Sequence, residues 1–504
     1  MEYNKIAKKI DFELIKKFPI EILKENRIIP IEKKNGKIFL LSDETPPLPI
    51  LDDLEVYSHL QIKLKLLSSN IITQLSNEFL EASHDTVEGM LNSFDADELE
   101  DYSDFDLDTR VENLEELAHE APIIRLVNTI ITNGLKKGAS DIHIEPFEDE
   151  LRLRYRIDGF LYEEPAPPRN LFPAIITRIK IMSNLNIAEK RLPQDGRIRI
   201  RVLGRELDIR VSIIPTLYGE SVVLRLLDRA EVLLELKNLG FNNKTLSEYK
   251  ELIKEPYGIV LVTGPTGSGK TTTLYATLNR LNSSDNKIVT IEDPVEYQLD
   301  GINQIQVKPE IDFSFASGLR SILRHDPDII MVGEIRDLET AKIAIQAALT
   351  GHLVFATLHT NDAVGAITRF LEMGVEDYLL ASSLIGVMAQ RLVRVLCPEC
   401  KREYTPEREE YEFDSQKRLF EANGCENCAD IGFSGRTAIY ELLPVNRELK
   451  QLITHHENIN DIRDKASNIG MDTLYTNGWK KVEDGITTID EVLRVTKNLE
   501  QGEL

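Results

Sequence analysis

Eight consecutive residues restrict the fold of this chain more than any other feature. Gly264, Pro265, Thr266, Gly267, Ser268, Gly269, Lys270 and Thr271 satisfy the pattern G-x-x-x-x-G-K-[ST] in full. The apolar run Ile259-Val-Leu-Val-Thr263 precedes them, and a helical pattern with Leu274 and Leu278 follows. That order of strand, glycine loop and helix is the context in which the pattern cradles phosphate. Glycines let the backbone wrap a β-phosphate, and the amides at the helix start, Lys270 to Thr272, point at it. Lys270 would bridge the β- and γ-phosphates, and the Thr271 hydroxyl would ligate Mg²⁺, so ATP with Mg²⁺ is the implied ligand. The competing reading is a chance glycine-rich turn, which the flanking strand and helix argue against.

Nucleotide binding does not by itself imply hydrolysis. Hydrolysis needs a carboxylate that polarises water in line with the γ-phosphate, carried on a neighbouring strand end. Asp328-Ile-Ile-Met-Val-Gly-Glu334 supplies one in Glu334, with Gly333 where an acidic residue usually precedes it. Magnesium would then lean on Thr271 and water, or on a carboxylate from elsewhere. The bland alternative is that Glu334 is only an acid at a helix start, Glu334-Ile-Arg-Asp337. A second acidic group, Glu292, Asp293 and Glu296, follows the expected strand 287–291; a charged strand end is its ordinary explanation. His352 and His359 stand at either end of the expected strand 353–358, where one could sense the γ-phosphate or both could be structural.

Around this centre, strands are expected at 259–263, 287–291, 328–332 and 353–358, and helices at 270–281, 315–324 and 338–349. Strand and helix in alternation imply a parallel sheet with helices on both faces, an α/β domain over 236–504. At 504 residues the chain is too long for one core. Residues 120–235 are expected to form an α+β domain. Its helix carries Ile123, Leu126, Val127, Ile130 and Ile131, and its strands lie at 151–157, 198–202, 206–213 and 222–226. This segment is rich in arginine. Residues 1–90 are expected to be a small mixed domain, with a strand near Ile38–Leu41 and a helical pattern from Leu60 to Phe79. Residues 91–119 read as an acidic linker, with eleven Asp or Glu against Arg110 between Asp95 and Glu116.

Charge narrows the partners. Sixty basic and 84 acidic residues give a formal charge of −24, which opposes broad nucleic-acid binding. The N-terminus has no apolar signal core, and no apolar run reaches the ~18–20 residues that span a bilayer. The longest, Tyr378 to Ala389, holds two serines. A cytoplasmic chain that meets a membrane only through a partner is expected. The four cysteines form two C-x-x-C pairs, Cys397 with Cys400 and Cys425 with Cys428, separated by 24 residues. That spacing predicts a closed Cys₄ zinc site over 397–428, against a redox dithiol pair or core thiols. Gly424, Gly432 and Gly435 suit the tight turns such a site needs.

Several longer runs stand in one order: Ala139-Ser-Asp-Ile-His-Ile-Glu-Pro146, Arg191-Leu-Pro-Gln-Asp-Gly-Arg197, His325 to Asp337, and Leu349 to Asp362. Over about residues 120–500 the chain closely resembles the ATPases of type II protein secretion and type IV pilus assembly. The resemblance implies a RecA-like hexameric motor domain behind a PAS-like second domain, with Glu292, Asp293 and Glu296 as an Asp box and His352 and His359 as a His box. It also implies that Arg210 and Arg225 reach nucleotide phosphates from the second domain, with Arg320, Arg324 and Arg336 as weaker candidates. In such motors the cysteine module belongs to assembly and secretion ATPases, and retraction ATPases generally lack it. The amino-terminal domain of the secretion members docks on the cytoplasmic part of an inner-membrane protein, and the motor pushes an inner-membrane platform protein. Residues 1–90 match only loosely and carry no cyclic-di-GMP repeat, which favours secretion over pilus assembly. The rival readings are a RecA-like nucleic-acid translocase, opposed by the acidic balance and the lack of an aromatic–basic surface, and a scaffold that binds ATP without turnover.

Overall fold

The structure, a computed structural model, describes residues 117–202, 205–228, 235–404, 418–455 and 459–500, together with Leu114 and parts of 18–72. The chain divides into two compact units, Met1–Leu227 and Asp228–Leu504.

In the first unit, β1 (Ile29–Lys34), β2 (Lys37–Ser42) and β3 (Gln61–Leu66) make a sheet in the order β1-β2-β3. Pairing is antiparallel for β1 with β2 and parallel for β2 with β3. The helical pattern expected from Leu60 is therefore corrected at its start. In Gln61-Ile-Lys-Leu-Lys-Leu66 the apolar residues recur every second position, and Ile62 and Leu64 pack on the Ile38 and Leu40 core. The acidic stretch 95–116 lies outside the described residues except for Leu114.

Next come α1 (Ala121–Lys136), β4 (Ala139–Pro146), β5 (Leu151–Ile157), β6 (Phe160–Glu164), α2 (Phe172–Met182), β7 (Gln194–Val202), β8 (Arg205–Thr216) and β9 (Gly219–Asp228). The strands form one sheet, ordered β6-β5-β4-β9-β8-β7. Ile123, Leu126, Val127, Ile130 and Ile131 are all buried, as the spacing in α1 requires. Along β5, Leu151, Leu153, Tyr155 and Ile157 point into the core, while Arg152, Arg154 and Arg156 alternate with them on the other face.

The second unit is built on a seven-stranded sheet, ordered β12-β11-β13-β14-β10-β15-β18. Its strands are β10 (Gly258–Thr263), β11 (Ile288–Glu292), β12 (Asn303–Gln306), β13 (Ile329–Val332), β14 (Leu353–Leu358), β15 (Leu384–Leu396) and β18 (Phe433–Pro444). Only β18 runs antiparallel, against β15. Helices α3 (Asn243–Leu252), α4 (Lys270–Leu281), α5 (Phe315–Ile322), α6 (Leu338–Leu349), α7 (Ala363–Glu372) and α8 (Asp377–Ser383) intervene, and α9 (Arg447–Thr454), α10 (Ile459–Asn468), α11 (Leu474–Glu483) and α12 (Ile489–Glu500) close the chain. Both faces of the sheet are covered. Ile259 and Leu261 enter one core with α6 and the carboxy-terminal helices, and Val260 and Val262 enter another with α3 and α4. That is why β10 reads as a continuous apolar run.

The run Tyr378–Ala389 divides between α8 and the start of β15. No helix among the described residues is long and apolar enough to cross a membrane. A small excursion joins β15 to β18 and carries the cysteines along with β16 (Arg402–Tyr404) and β17 (Leu419–Glu421).

Candidate active site

Parallel register brings the functional loops to one edge of the sheet. Thr263 pairs with Leu358, Val332 with Ala356, and Ile291 with Val332. The carboxyl ends of β10, β14, β13 and β11 therefore lie side by side, where sheets of this kind bind ligands. Gly264 (φ 150°), Gly267 (φ 78°) and Gly269 (φ 86°) shape the loop after β10. A Cβ on Gly264 would stand 2.5 Å from the Gln390 carbonyl oxygen, and one on Gly269 would stand 2.7 Å from Gln390 Nε2. Two of the glycines are thus required by contact as well as by backbone angle.

Helix α4 begins at Lys270 with no side-chain cap, and its first internal bond runs from the Thr273 amide to the Gly269 carbonyl at 3.0 Å. The amides of Lys270, Thr271 and Thr272 therefore have no acceptor within the helix and form a donor cluster at its positive end. Lys270 Nζ donates to the carbonyls of Gly264 (2.7 Å) and Pro265 (3.0 Å). Burial lowers its pKa to about 8, the nearby Arg391 charge adds to this, and Glu334 opposes it. An ammonium held this way gains strongly from a phosphate, and the loop's shape and donors fit a nucleotide polyphosphate with its Mg²⁺ on Thr271.

Glu334 follows β13 at the same edge. Its carboxylate is an ion-pair partner of Arg336 and lies 3.6 Å from His359 Nε2. Burial lowers the His359 pKa, with Lys270 adding to the effect and Glu334 opposing it. Lys270, Glu334, Arg336 and His359 thus form one electrostatic cluster, which Asp293 joins through its pull on Arg336. Gly333 has a steric reason. A Cβ there would stand 3.1 Å from the Ile291 carbonyl oxygen and 3.2 Å from Glu292 Cα, both main-chain atoms. Its amide is tied to Ile291 O at 2.7 Å, and Thr357 Oγ1 donates to its carbonyl.

The remaining Asp-box and His-box residues separate into different settings. Glu292 is buried and accepts hydrogen bonds from Thr290 (2.6 Å), Gln304 (3.2 Å) and the Tyr275 hydroxyl. Burial raises its pKa. Asp293 is exposed, and Glu296 offers its amide to the Tyr275 hydroxyl at 3.3 Å. Of the two histidines only His359 reaches the cluster. His352 precedes β14, about 20 Å from its carboxyl end at the usual strand rise, with Nδ1 2.8 Å from the Ala347 carbonyl oxygen. The two histidines stand at either end of this strand, as expected, and so lie at opposite edges of the sheet, His359 at the phosphate edge.

Arg210 and Arg225 belong to the first unit. With Asp195, Gly196, Arg197, Val211, Ser212 and Val223 they line a pocket of about 480 Å³. Arg225 Nε is 2.8 Å from Asp141 Oδ1, and Arg210 stands opposite Arg197 across β7 and β8. Arg320 pairs with Glu339, and Arg324 donates to the Arg320 carbonyl at 2.8 Å. Of these three weaker candidates, Arg336 is the one paired with Glu334.

The four cysteines are free thiols whose sulfurs all lie within 4.8 Å of one another. Cys397 and Cys425 are 3.9 Å apart, Cys400 and Cys428 3.8 Å, and Cys425 and Cys428 3.7 Å. Zinc thiolate bonds of about 2.3 Å in a tetrahedron separate sulfurs by about 3.8 Å, so the cluster fits such an ion. Amides of Cys425 and Gly432 point at the Cys428 sulfur at 3.2 Å each, as second-layer donors to a thiolate do. Gly424, Gly432 and Gly435 all take positive φ.

Sequence reasoning missed Gln390, Arg391 and Tyr275. Gln390 and Arg391 are buried beside the phosphate loop, and Tyr275 underlies the Glu292 network. The available signal was a glutamine and an arginine set inside the apolar run from Leu384 to Leu396.

Comparison with known proteins agrees with this architecture. Residues 116–494 match the family model of the Type II/IV secretion system protein. Type II secretion system protein E of Xanthomonas campestris pv. campestris is 55% identical over 396 residues, covering 77% of this chain and 70% of the relative. Type II secretion system ATPase E of Vibrio cholerae serotype O1 is 53% identical over 391 residues, 77% of this chain and 78% of the relative. Type IV pilus assembly ATPase PilB of Myxococcus xanthus is 42% identical over 496 residues, 96% of this chain and 87% of the relative. Among solved structures, the ADP-bound pilus retraction motor PilT aligns with a TM-score of 0.53 at 29% identity, over 74% of this chain and 98% of that one. The Legionella pneumophila ATPase DotB shares the fold, with a TM-score of 0.57 at 22% identity over 74% of this chain and 96% of that one. With its phosphate loop and strand-end carboxylate set in this fold, the chain belongs to the Type II/IV secretion system protein family and is an ATPase.

Proposed function

We propose that this ATPase binds Mg-ATP on the 264–272 loop and uses hydrolysis to drive type II protein secretion. The observation that carries the reading is the cluster of Lys270, Glu334 and His359 at the carboxyl edge of one parallel sheet. In this scheme the loop amides and Lys270 bind the phosphates, Thr271 holds Mg²⁺, and Glu334 orients and accepts a proton from the attacking water. The ion neutralises charge on the terminal phosphates when bound. Asp293 is the Asp-box carboxylate best placed to assist, and Glu292 serves as a buried support. Arg210 and Arg225 supply guanidinium charge to the γ-phosphate, from the same subunit or from a neighbour in a homohexamer. A zinc ion on Cys397, Cys400, Cys425 and Cys428 stiffens the excursion between β15 and β18 without taking part in the chemistry. The amino-terminal residues dock on the cytoplasmic part of an inner-membrane protein, which brings the motor to its platform.

Glu334→Gln tests the chemical core. Single-turnover hydrolysis should fall by on the order of 10² or more while ATP affinity stays within about threefold. Unchanged turnover would remove Glu334 from the mechanism and return the chain to a binding scaffold.

One observation favours a second reading, pilus assembly. The PilB relative aligns over 96% of this chain and so reaches into the amino-terminal 90 residues, whereas the type II relatives cover 77%. Full-length chain as bait against a membrane extract discriminates the two: retention of a secretion-system membrane protein supports the first reading, and retention of a pilus component supports the second.

A further inference from the structure

Beside the acid and the lysine lies a polar pair that neither role uses. Gln390 and Arg391 sit in the middle of β15, both buried, on the strand next to β10. Gln390 faces the phosphate loop. Its carbonyl oxygen and its Nε2 close the space over Gly264 and Gly269, and its Oε1 accepts the Thr273 hydroxyl of α4 at 2.8 Å. One side chain with its own carbonyl therefore touches the loop at its beginning, its end and the first helical turn.

Arg391 reaches the other way. Its Nη1 lies 3.2 Å from the space a Gly264 Cβ would fill and donates to the Gln390 carbonyl at 3.1 Å. Its Nη2 donates to the Asn361 carbonyl at 2.8 Å and approaches Asn361 Oδ1 at 3.4 Å. Asn361 lies two residues beyond His359. Thr360, between them, is clasped to Thr263 by its amide (2.8 Å) and its hydroxyl (2.7 Å). The segment bearing His359 is thus fixed at two points, one on β10 and one on Arg391. A buried guanidinium is expensive unless paired, and Asp362 supplies opposing charge here, joined by Glu441 where that carboxyl is ionised.

We propose that Gln390 and Arg391 are positioning residues with separate tasks. Gln390 keeps the phosphate loop in the shape that receives a nucleotide, and Arg391 holds the His359 segment against that loop for the chemical step. This inference rests on the hydrolytic reading above.

The test compares full-length variants by ADP affinity and by steady-state ATP turnover, with Glu334→Gln measured alongside. Gln390→Ala should weaken ADP binding about tenfold, because it opens the space under Gly269 and removes the Gln390 acceptor of the Thr273 hydroxyl. Arg391→Gln should lower kcat about tenfold or more and leave the ADP Kd within about threefold, since its Nη2 bonds go to the His359 segment and its Nη1 bond goes to a main-chain carbonyl that Gln390 keeps. Arg391→Lys should recover part of kcat, because it keeps the charge and one donor but loses the fork. If Arg391→Gln fails to fold, Arg391→Lys carries the comparison, with a reduced kcat at preserved ADP affinity. Equal losses of affinity and turnover in the Arg391 variants, or no loss at all, would overturn the assignment; so would normal ADP binding by Gln390→Ala. Full turnover in Glu334→Gln would instead defeat the hydrolytic reading. A collapse of Glu334→Gln beside normal Arg391 variants would defeat this inference alone.

Discussion

Glu441 gives the sharpest quantitative test of the buried electrostatics behind the site. It sits on β18 opposite Ala389, 5% exposed, and accepts the amides of Ala363 (2.8 Å) and Leu474 (3.3 Å) at the starts of α7 and α11. Burial raises its pKa from 4.5 to about 7, the Ala363 amide opposes the shift, and the neighbouring Asp362 charge adds to it. Between pH 4.5 and 7 the folded chain keeps a proton that the unfolded chain has released. Folding stability therefore falls as pH rises through that window and levels off above 7. Two and a half units correspond to on the order of 3 kcal/mol. Glu441→Gln removes this slope, since an amide has the shape of the protonated acid and no charge to lose. Urea unfolding of wild type and variant from pH 5 to 8 measures it, with the variant gaining on wild type by about 3 kcal/mol toward pH 8. A difference that stays flat across that range would refute the reasoning.

Three further expectations follow from the same structure. Lys270→Ala should weaken ATP binding by on the order of 10² or more while leaving the circular-dichroism spectrum unchanged, because it deletes the loop's one cation, whose bonds go only to the Gly264 and Pro265 carbonyls of the same loop; retained affinity would contradict the phosphate-loop assignment. Cys397→Ser should release about one zinc per chain in a metal assay and loosen the 397–428 excursion without unfolding the sheet. Gly333→Asp, which restores the more usual acid, should cost about 1–3 kcal/mol in denaturant unfolding and give no gain in turnover, because its Cβ meets main-chain atoms of β11.

Much of this unit was readable in advance for a definite reason. Strand β14 and helices α4 and α6 have the bounds expected from apolar runs and helical spacing, and β10 begins one residue earlier, because each element buries its own apolar residues locally. The cysteine cluster was equally plain, since metal ligands must recur at fixed short spacing. What stayed hidden depends on strands that meet only in the folded sheet. Nothing in the residues around Gln390 says that β15 lies beside β10, so a glutamine that shapes Gly264 and Gly269 looks like any polar interruption of an apolar run. The two histidines were expected at either end of one strand, but which of them lies at the phosphate edge depends on the parallel pairing of β14 with β10. Gln61–Leu66 misread as helix for want of the β2 partner that makes its alternation pay.

The route from β15 to β18 has a mechanical consequence. Strand β15 passes the nucleotide floor at Gln390 and reaches the cysteine turn at Cys397, about 23 Å further on at the usual strand rise. A ladder with β18 backs it from Gly386 paired with Pro444 to Leu396 paired with Phe433, with one irregularity near the end. Such a two-stranded beam bends little along its length. Its far end is also tied down, by the Leu396 amide to the Ile486 carbonyl at 2.8 Å and by Lys401 to the Gly485 carbonyl at 2.8 Å, so the cysteine turn is joined both to the strand that carries Gln390 and to the carboxy-terminal helices.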